Sequence, residues 1–516
     1  MVRMTVHAPE QDRRFFGHPL GLMTLFGTEL WERFSYYGMR AILLYYLTDT
    51  IANGGLGFDE NTGLAVTSIY GASVYLLSVV GGWLADRMIG ARRATLYGGI
   101  VIALGHVLLA VPGGPAFSFA GIVGVAIGTG LLKPNVSSMV GELYTRGDDR
   151  RDAGFSIFYM GINIGSLAAP FLVGIAREVG GYHAGFLVAA VGMALALTAF
   201  VLGRRQLAGA GEDVENPITP EDHPALVRGG LAILALIALM GLISLAVTST
   251  QAGGLSFGAD GVVNMISYLA FAAPVLYFTV MLRSPKVTRP ERSRVVAYIP
   301  LFVAAMLFWM IFEQAASSLS AFAKSRTELE AFGTTISPEF FQSVNPASII
   351  ILAPVFAYAW VRFGERGPST AVKFGTGLAL AASSFLFLSF MTAQAGEDLV
   401  PAWVLVVTYV IQTLGELFLS PVGLAATTLL APRAFRSQAM ALWFLAPSAG
   451  QAITAQIVSA TEDLSNNFAA YFGWIGGITL LIAGAFFLLA PWITRKIREG
   501  EEVEEAVEPG AGEPSI

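Results

Sequence analysis

The stretch Glu29-Leu-Trp-Glu32-Arg33-Phe-Ser-Tyr36-Tyr37-Gly-Met-Arg40 sets four ionisable side chains inside a run of about thirty residues that is otherwise apolar enough to span a bilayer. A charge near the bilayer centre costs about 2.5–3.5 kcal/mol on insertion scales and more when unpaired, so such residues persist only facing a protein interior or a water-filled cavity. On a helix, Glu29, Arg33, Tyr36 and Arg40 recur at offsets of three and four and share one face. The pattern points a polar stripe into a solvated central site. The bland alternative, an amphipathic helix lying on the membrane surface, is disfavoured by the length and continuity of the apolar residues around the stripe.

The rest of the chain agrees with a membrane protein. Of its 516 residues 54% are hydrophobic and 13% charged, with a mean hydropathy of +0.63, whereas soluble domains carry about 25% charged residues. The 57 glycines and 24 prolines are tolerable in spanning helices whose neighbours satisfy the backbone. The net charge of -6 says little about partners, because the acidic excess gathers in the tail from Glu499 to Glu513. The absence of cysteine excludes disulfides, thiolate metal sites and cysteine nucleophiles. The first twenty residues hold Arg3, Arg13 and Arg14 without an apolar core and cleavage site, so the first helix is expected to serve as its own insertion signal.

Apolar runs of spanning length give fourteen candidates, at 22–51, 63–85, 93–112, 117–143, 153–178, 184–203, 226–248, 261–282, 296–324, 339–362, 371–393, 401–431, 435–460 and 467–494. With the N-terminus inside, 25 of the 31 lysines and arginines fall in cytoplasmic segments. Arg33, Arg40 and Lys133 lie within helices, and only Arg177, Lys324 and Arg326 fall near the outside. This bias predicts an even number of helices with both termini cytoplasmic. Two short basic turns, Gly82–Arg93 and Trp360–Gly367, fall at corresponding places in the two halves and suggest parallel six-helix repeats. The expected organisation is a cytoplasmic segment 1–21, a first six-helix bundle 22–205, a linker 206–294 holding two extra helices, a second bundle 295–497 and an acidic cytoplasmic tail 498–516. Arg228 and Asp260 are the only ionisable residues in the extra pair, which reads as lipid-facing.

Residues 29–38, Glu-x-x-Glu-Arg-Phe-x-Tyr-Tyr-Gly, resemble the first-helix signature of the proton-dependent oligopeptide transporters of the major facilitator superfamily. Gly82-Trp-Leu-Ala-Asp86-Arg87 resembles that family's second signature, and Phe158-Tyr159-Met-Gly-Ile-Asn163-Ile-Gly165-Ser166 its third. Similarity continues through Phe308-Trp-Met-Ile-Phe-Glu313-Gln and Gly415-Glu416-Leu-Phe-Leu-Ser-Pro421 to Trp443-Phe444, and spans about 22–495. The resemblance implies an all-α membrane protein of two six-helix bundles plus the inserted hairpin. It also implies proton-driven uptake of di- and tripeptides by alternating access.

The resemblance groups Glu32, Arg33 and Lys133, and a carboxylate between two cations stays ionised until a proton or substrate competes. Lys133 also lies in Leu-Lys-Pro-Asn, expected to break its helix near the midplane as transporter sites tend to do. Glu313 and Glu416 are isolated carboxylates, and the implied partners across the two halves are Arg40 and Lys133 respectively. Proton coupling is expected to involve Glu29, Glu32, Arg33 and Glu313. Peptide binding is expected from Arg33, Tyr36, Tyr37, Arg40, Tyr70, Lys133, Asn163, Glu313, Asn345, Glu416, Trp443 and Phe444. The competing account of the ion pairs is fixed helix packing, and that of the aromatics is interfacial anchoring. None of the five histidines lies near this set, so coupling falls to carboxylates, and His106 reads as a satisfied packing residue. Gly124-Val-Ala-Ile-Gly128-Thr-Gly130 follows no strand, so close helix packing explains it better than dinucleotide binding.

The expected ligands are di- and tripeptides and protons, with no cofactor, no metal and no nucleic acid, in a monomer resident in the cell membrane. A same-family carrier of nitrate or a peptide-like drug is the alternative substrate reading. An intramembrane enzyme would need a catalytic carboxylate pair, a Ser-His pair or a metal set, and a channel would need a filter or rings of like residues. Glu29 and Glu32 are two carboxylates, but both have cationic neighbours and no metal-binding histidine accompanies them, and no filter or ring sequence is present.

Overall fold

The computed structural model describes residues 12–145, 148–214, 216–331, 333–364, 367–432, 434–435, 439–461, 464 and 467–507. Arg3, Arg146, Glu365, Arg366, Arg433, Arg436 and the end of the acidic tail, which entered the charge reading above, lie outside them.

The first bundle contains α1 (Leu20–Thr48), α2 (Glu60–Leu84), α3 (Ala91–Ala110), α4 (Gly114–Glu142) and α5 (Arg150–Gly203). α1 starts directly after Pro19, and α2 starts where the Asp59 side chain accepts from the Thr62 amide at 2.9 Å, satisfying one orphan donor of the first turn. α5 contains one residue of non-helical backbone, Gly181 at φ 78°, which divides it where two spans were expected. That left-handed value is readily adopted only by glycine. α6 (His223–Ala252) and α7 (Gly258–Arg283) form the expected hairpin. The second bundle contains α8 (Arg289–Phe312), the short α9 (Ser318–Ser325), α10 (Val344–Phe363), α11 (Thr370–Ala395), α12 (Ala402–Leu430), α13 (Ala439–Ala460) and α14 (Phe468–Val507).

Eleven helices among the described residues are long and apolar enough to cross a membrane. The expectation of fourteen adds α1, α13 and the second arm of α5. α1 is less apolar than the others because of Glu29, Glu32, Arg33 and Arg40, the same charges that made it conspicuous.

Two hydrophobic cores form, one built mainly from α1–α5 and one from α8–α14. Within each half the third and fourth helices touch through glycines. A Cβ on Gly98 would lie 2.6 Å from the Gly128 carbonyl oxygen, and one on Gly377 would lie 2.8 Å from that of Gly415. The glycine-rich stretch of α4 is thus a backbone-to-backbone contact. α6 is almost entirely uncovered by protein. α7 packs against α2 of one bundle and α13 of the other, where Gln456 donates to Asn264 at 2.9 Å and to Ser267 at 3.1 Å. The hairpin is therefore more than a lipid-facing appendage: its second helix bridges both bundles.

Two expectations need correction. α4 runs unbroken through Pro134, and the next residue, Asn135, donates from Nδ2 to the Leu131 carbonyl at 2.6 Å and to the Gly81 carbonyl of α2 at 3.3 Å. The break falls instead in the span expected at 296–324. There α8 ends at Phe312, Glu313–Ala316 tightens to a 3₁₀ turn, and Ser317 leaves helical geometry altogether. A helix end orphans its last carbonyls. Here that of Met310 is taken by Gln314 Nε2 at 3.0 Å and Thr454 at 3.2 Å, and that of Glu313 by Arg40. His106, expected to be satisfied, is fully buried with no hydrogen-bond partner at either ring nitrogen.

Hydrogen bonds join the two bundles. Calling the end where α1 begins and α2 finishes the basic face, the cross-bundle bonds lie at the middle and toward the far face. Ser448 donates to the Ala72 carbonyl at 2.8 Å, Tyr45 to that of Ser320 at 3.0 Å, Ser343 to that of Leu167 at 2.9 Å, and Asn61 to that of Thr461 at 2.7 Å.

Close packing of α2 on α4 gives the first testable outcome. A Cβ on Gly81 would stand 2.1 Å from the Gly130 carbonyl oxygen, whereas one on Gly484 meets open space. Gly81→Ala is expected to destabilise the protein by about 1–3 kcal/mol through overpacking, and Gly484→Ala to leave it unchanged or slightly more stable. Thermal-unfolding midpoints in detergent compare the two; equal midpoints would contradict the α2–α4 contact.

Candidate functional site

The polar stripe of α1 faces the seam between the bundles. Arg33 Nε stands 3.1 Å from Glu29 and 2.5 Å from Glu32, and all three side chains are buried. The spacing i, i+4 brings Glu29 one turn below Arg33 on the same face, while Glu32 reaches around from the adjacent position. One oxygen of each carboxylate and Nη2 of Arg33 have no hydrogen-bond partner among the protein atoms. In a membrane interior, unpaired polar atoms of this kind demand water or a ligand. The Arg33 guanidinium also lies 5.2 Å from the centre of the Tyr36 ring.

One turn of chain beyond Tyr36, Arg40 forms an ion pair with Glu313 across the bundles and donates from Nη2 to the Glu313 carbonyl at 2.9 Å. The helix break at Glu313 is what frees that carbonyl. Tyr75 of α2 donates to the same carboxylate, its hydroxyl 2.9 Å from Glu313 Oε1. Lys133 Nζ lies 3.9 Å from the centre of the Tyr75 ring, a cation–π contact. Arg40, Glu313, Tyr75 and Lys133 are thus one connected set drawn from α1, the α8 break, α2 and α4.

The expected pairing of Lys133 with Glu416 is not made. Glu416 accepts from Asn345 Nδ2 at 3.0 Å, and the same nitrogen lies 2.9 Å from the Thr413 hydroxyl. Glu416 and Thr413 sit on α12 and Asn345 at the start of α10, so this contact is internal to the second bundle. The carboxylates within electrostatic reach of Lys133 are Glu313, Glu32 and Glu29. Lys133 and Glu416 occupy corresponding helices of the two halves, α4 and α12.

The remaining candidates take two positions. Tyr36 stacks on Tyr70 with centroids 6.3 Å apart and touches Tyr37 edge-on at 5.2 Å; the hydroxyls of Tyr36 and Tyr70 have no partner. Asn163 is buried on α5, its amide nitrogen bonded to the Tyr159 carbonyl at 2.9 Å. Trp443 meets Trp309 edge-on at 6.5 Å, and Trp309 Nε1 is buried without a partner. Phe444, the next residue on α13, is half-buried.

Sequence reasoning missed Tyr75, Trp309 and Thr413. Tyr75 carried a signal, a tyrosine mid-helix and far from either interface, but Tyr70 carried the same one. Only the placement of α4 against α2 tells which ring Lys133 meets.

Two helical bundles that meet around a buried cluster of opposite charges define a membrane carrier of the major facilitator type rather than an enzyme or a channel. The chain belongs to the POT family, whose model matches residues 92–475. It is 45% identical to the di-/tripeptide transporter of Lactococcus lactis subsp. cremoris, over 91% of this chain and 96% of that protein. The uncharacterised transporter YclF of Bacillus subtilis is 48% identical, over 94% of this chain and 96% of that one. The crystal structure of a peptide transporter POT in complex with sulfate is 51% identical, with a TM-score of 0.86 over 94% of this chain and 97% of that one.

Tyr75→Phe keeps the ring beneath Lys133 and removes the bond to Glu313. A hydrogen bond to a charged group contributes about 1.5–3 kcal/mol, so ligand-independent pairing of Arg40 with Glu313 should weaken and transport rate fall about tenfold or more. Tyr75→Leu, which also removes the cation–π contact, should be worse. Equal transport by the wild-type and Phe forms would remove the hydroxyl from the mechanism.

Proposed function

We propose that the protein is a proton-coupled symporter that imports di- and tripeptides across the cell membrane by alternating access, with both termini in the cytoplasm. The observation that carries this reading is the connected set Arg40–Glu313–Tyr75–Lys133. It crosses from one bundle to the other at the α8 break. A peptide carboxylate entering beside Arg33 and Lys133 competes with the carboxylates that balance those cations. Its ammonium group is matched by Glu416, with Asn163 and Asn345 offering donor and acceptor to the backbone. Trp443, Phe444 and the tyrosines give peptide side chains apolar surface without imposing one shape.

Coupling requires a group that changes protonation as the carrier cycles. Glu32 beside Arg33 is our first assignment, with Glu29 sharing its network. Moving one charge through 100 mV supplies about 2.3 kcal/mol, enough for roughly fifty-fold accumulation. Protonating Glu313 instead would release Arg40 and loosen the cross-bundle pair, which makes it the competing site. The extra reach of Lys133 toward Glu313 rather than Glu416 favours a switch in which Lys133 changes carboxylate partner as the bundles rock.

The defining experiment is uptake of a labelled dipeptide into proteoliposomes, with and without an imposed proton gradient, beside peptide-for-peptide counterflow. A carrier gives both; uptake that ignores the gradient would exclude symport. Two variants sharpen the assignment. Lys133→Ala should abolish driven uptake and weaken binding of peptides with a free carboxylate at least tenfold, with a smaller loss for amidated peptides; equal losses would place the carboxylate elsewhere. Glu32→Gln should lose driven uptake but keep binding and counterflow. If Glu32→Gln still concentrates peptide while Glu313→Gln does not, the proton site belongs at the α8 break.

A further inference from the structure

Away from the seam, a cavity of about 490 Å³ opens beside the second bundle, between the start of α11 and the end of α14. Two contacts bracket it. Toward the basic face Thr494 donates to the Ser369 hydroxyl at 3.1 Å. Deeper in the span, a Cβ on Gly375 would stand 2.9 Å from the Phe487 ring, so the bare backbone of α11 lets that ring lean against it. Val372 and Pro491 add apolar wall, and Arg495, Arg498 and Glu499 stand at the mouth.

The cleft continues along α14 as a groove of fixed direction. Leu481, Gly484, Leu488, Pro491, Arg495 and Arg498 recur at offsets of three and four, so they share one face, and all six are exposed. A Cβ on Gly484 would meet nothing, so the helix is bare there. The face is apolar from Leu481 to Pro491 and cationic one turn later. From Leu481 to Arg495 is about 21 Å of helix at 1.5 Å per residue, more than the roughly 15 Å of one hydrocarbon leaflet. Two tryptophans mark the headgroup level near the mouth. Trp492 follows Pro491, and the Trp360 ring receives Lys373 of the first turn of α11, with Nζ 4.4 Å from its centre.

The charges at the mouth are not balanced among themselves. Glu499 is held by Lys496 at 2.7 Å and reaches Arg495 only at 3.8 Å. Arg498 has no ion pair among the described residues. Two guanidiniums are therefore left with donors for an anion, and their planar forks match a phosphate.

We propose that the cleft between α11 and α14 binds an anionic phospholipid, with its phosphodiester held by Arg495 and Arg498 and one acyl chain lying along Phe487, Leu488 and Gly484. A soluble phosphate would use the guanidiniums and leave the apolar groove empty. A zwitterionic lipid would fill the groove and bring its own cation to the arginines. A lipid of net negative charge satisfies both halves of the site, as basic pockets between spanning helices do for acidic headgroups. The bound lipid bridges the first turn of α11 to the end of α14 and touches none of the residues of the central site, so the inference stands apart from the transported solute.

The native chain has no cysteine, so Leu481→Cys takes a single fluorophore at the deep end of the groove, and Leu234→Cys on the uncovered α6 gives a lipid-exposed control. The full-length proteins are placed in phosphatidylcholine nanodiscs holding a minor fraction of phosphatidylglycerol, with one lipid or the other carrying brominated chains that quench on contact. At Leu481, brominated phosphatidylglycerol should quench at a several-fold lower mole fraction than brominated phosphatidylcholine; at Leu234 the two should be equal. An arginine near the surface favours an anionic headgroup about fivefold, the equivalent of about 1 kcal/mol. Arg495→Gln and Arg498→Gln should thus each cut the preference about fivefold and together abolish it. Both side chains are exposed, so the variants keep the native packing. The same preference at Leu234 would mean general enrichment around the protein and would overturn the site. So would a preference that survives in the double variant. Release of the quenching lipid by inorganic phosphate would show an anion site that does not need the groove, and would overturn the assignment to a lipid.

Discussion

Everything in this protein depends on keeping charges out of lipid. Glu29, Glu32, Arg33, Arg40, Lys133, Glu313 and Glu416 all lie at depths where hydrocarbon would surround them were the helices not bundled. The solution is to turn each toward the seam between two bundles. There they neutralise one another, as Arg33 does with two carboxylates of its own helix and Arg40 does with Glu313. A seam that must hold charge cannot be packed as tightly as a core. The polar atoms left without partners there are where a solute and a proton can enter.

The way each bundle is held contrasts with the way the two are joined. Inside a bundle, glycines bring α3 against α4 and α11 against α12 at backbone distance. Such contacts are rigid, because nothing in them can rearrange without separating the helices. Between bundles the bonds are few, polar and mostly to carbonyl oxygens. Polar bonds can be exchanged for others or for water at little net cost. Two stiff bodies joined by exchangeable bonds can rock as units, which is the mechanical requirement of alternating access.

The break after Phe312 ties these two properties together. By ending α8 inside the membrane it exposes carbonyls that must be satisfied, and it hands one of them to Arg40 of the opposite bundle. The same turn presents the Glu313 carboxylate to Arg40 and Tyr75. A backbone bond and a side-chain pair thus meet at one residue. A change in the charge of Glu313 would be felt by the helix end, the cation and the phenol together.

Much of this was legible in the chain. The polar stripe of α1 follows from a period of three and four among charged residues in an apolar run, and the hairpin between two similar halves follows from counting apolar runs. Those features are local, set by helix geometry and by the cost of burying charge, and they need no knowledge of what lies opposite. What the sequence could not determine is partnership. It could not separate Tyr75 from Tyr70, because both are mid-helix tyrosines and only the crossing of α4 over α2 selects one. It suggested a break at Pro134, yet α4 stays helical there, and the break occurs at Glu313, where no proline marks it. It could not locate the Arg177–Glu339 contact, since those residues are 162 positions apart. Nor could it say that Lys133 rests against Tyr75 while Glu416 turns to Asn345, because that depends on how the two bundles sit against each other. Sequence fixes which residues must leave the lipid; the tertiary arrangement decides whom they meet, because partners across a seam are set by the relative position of two bodies rather than by any pattern within one helix.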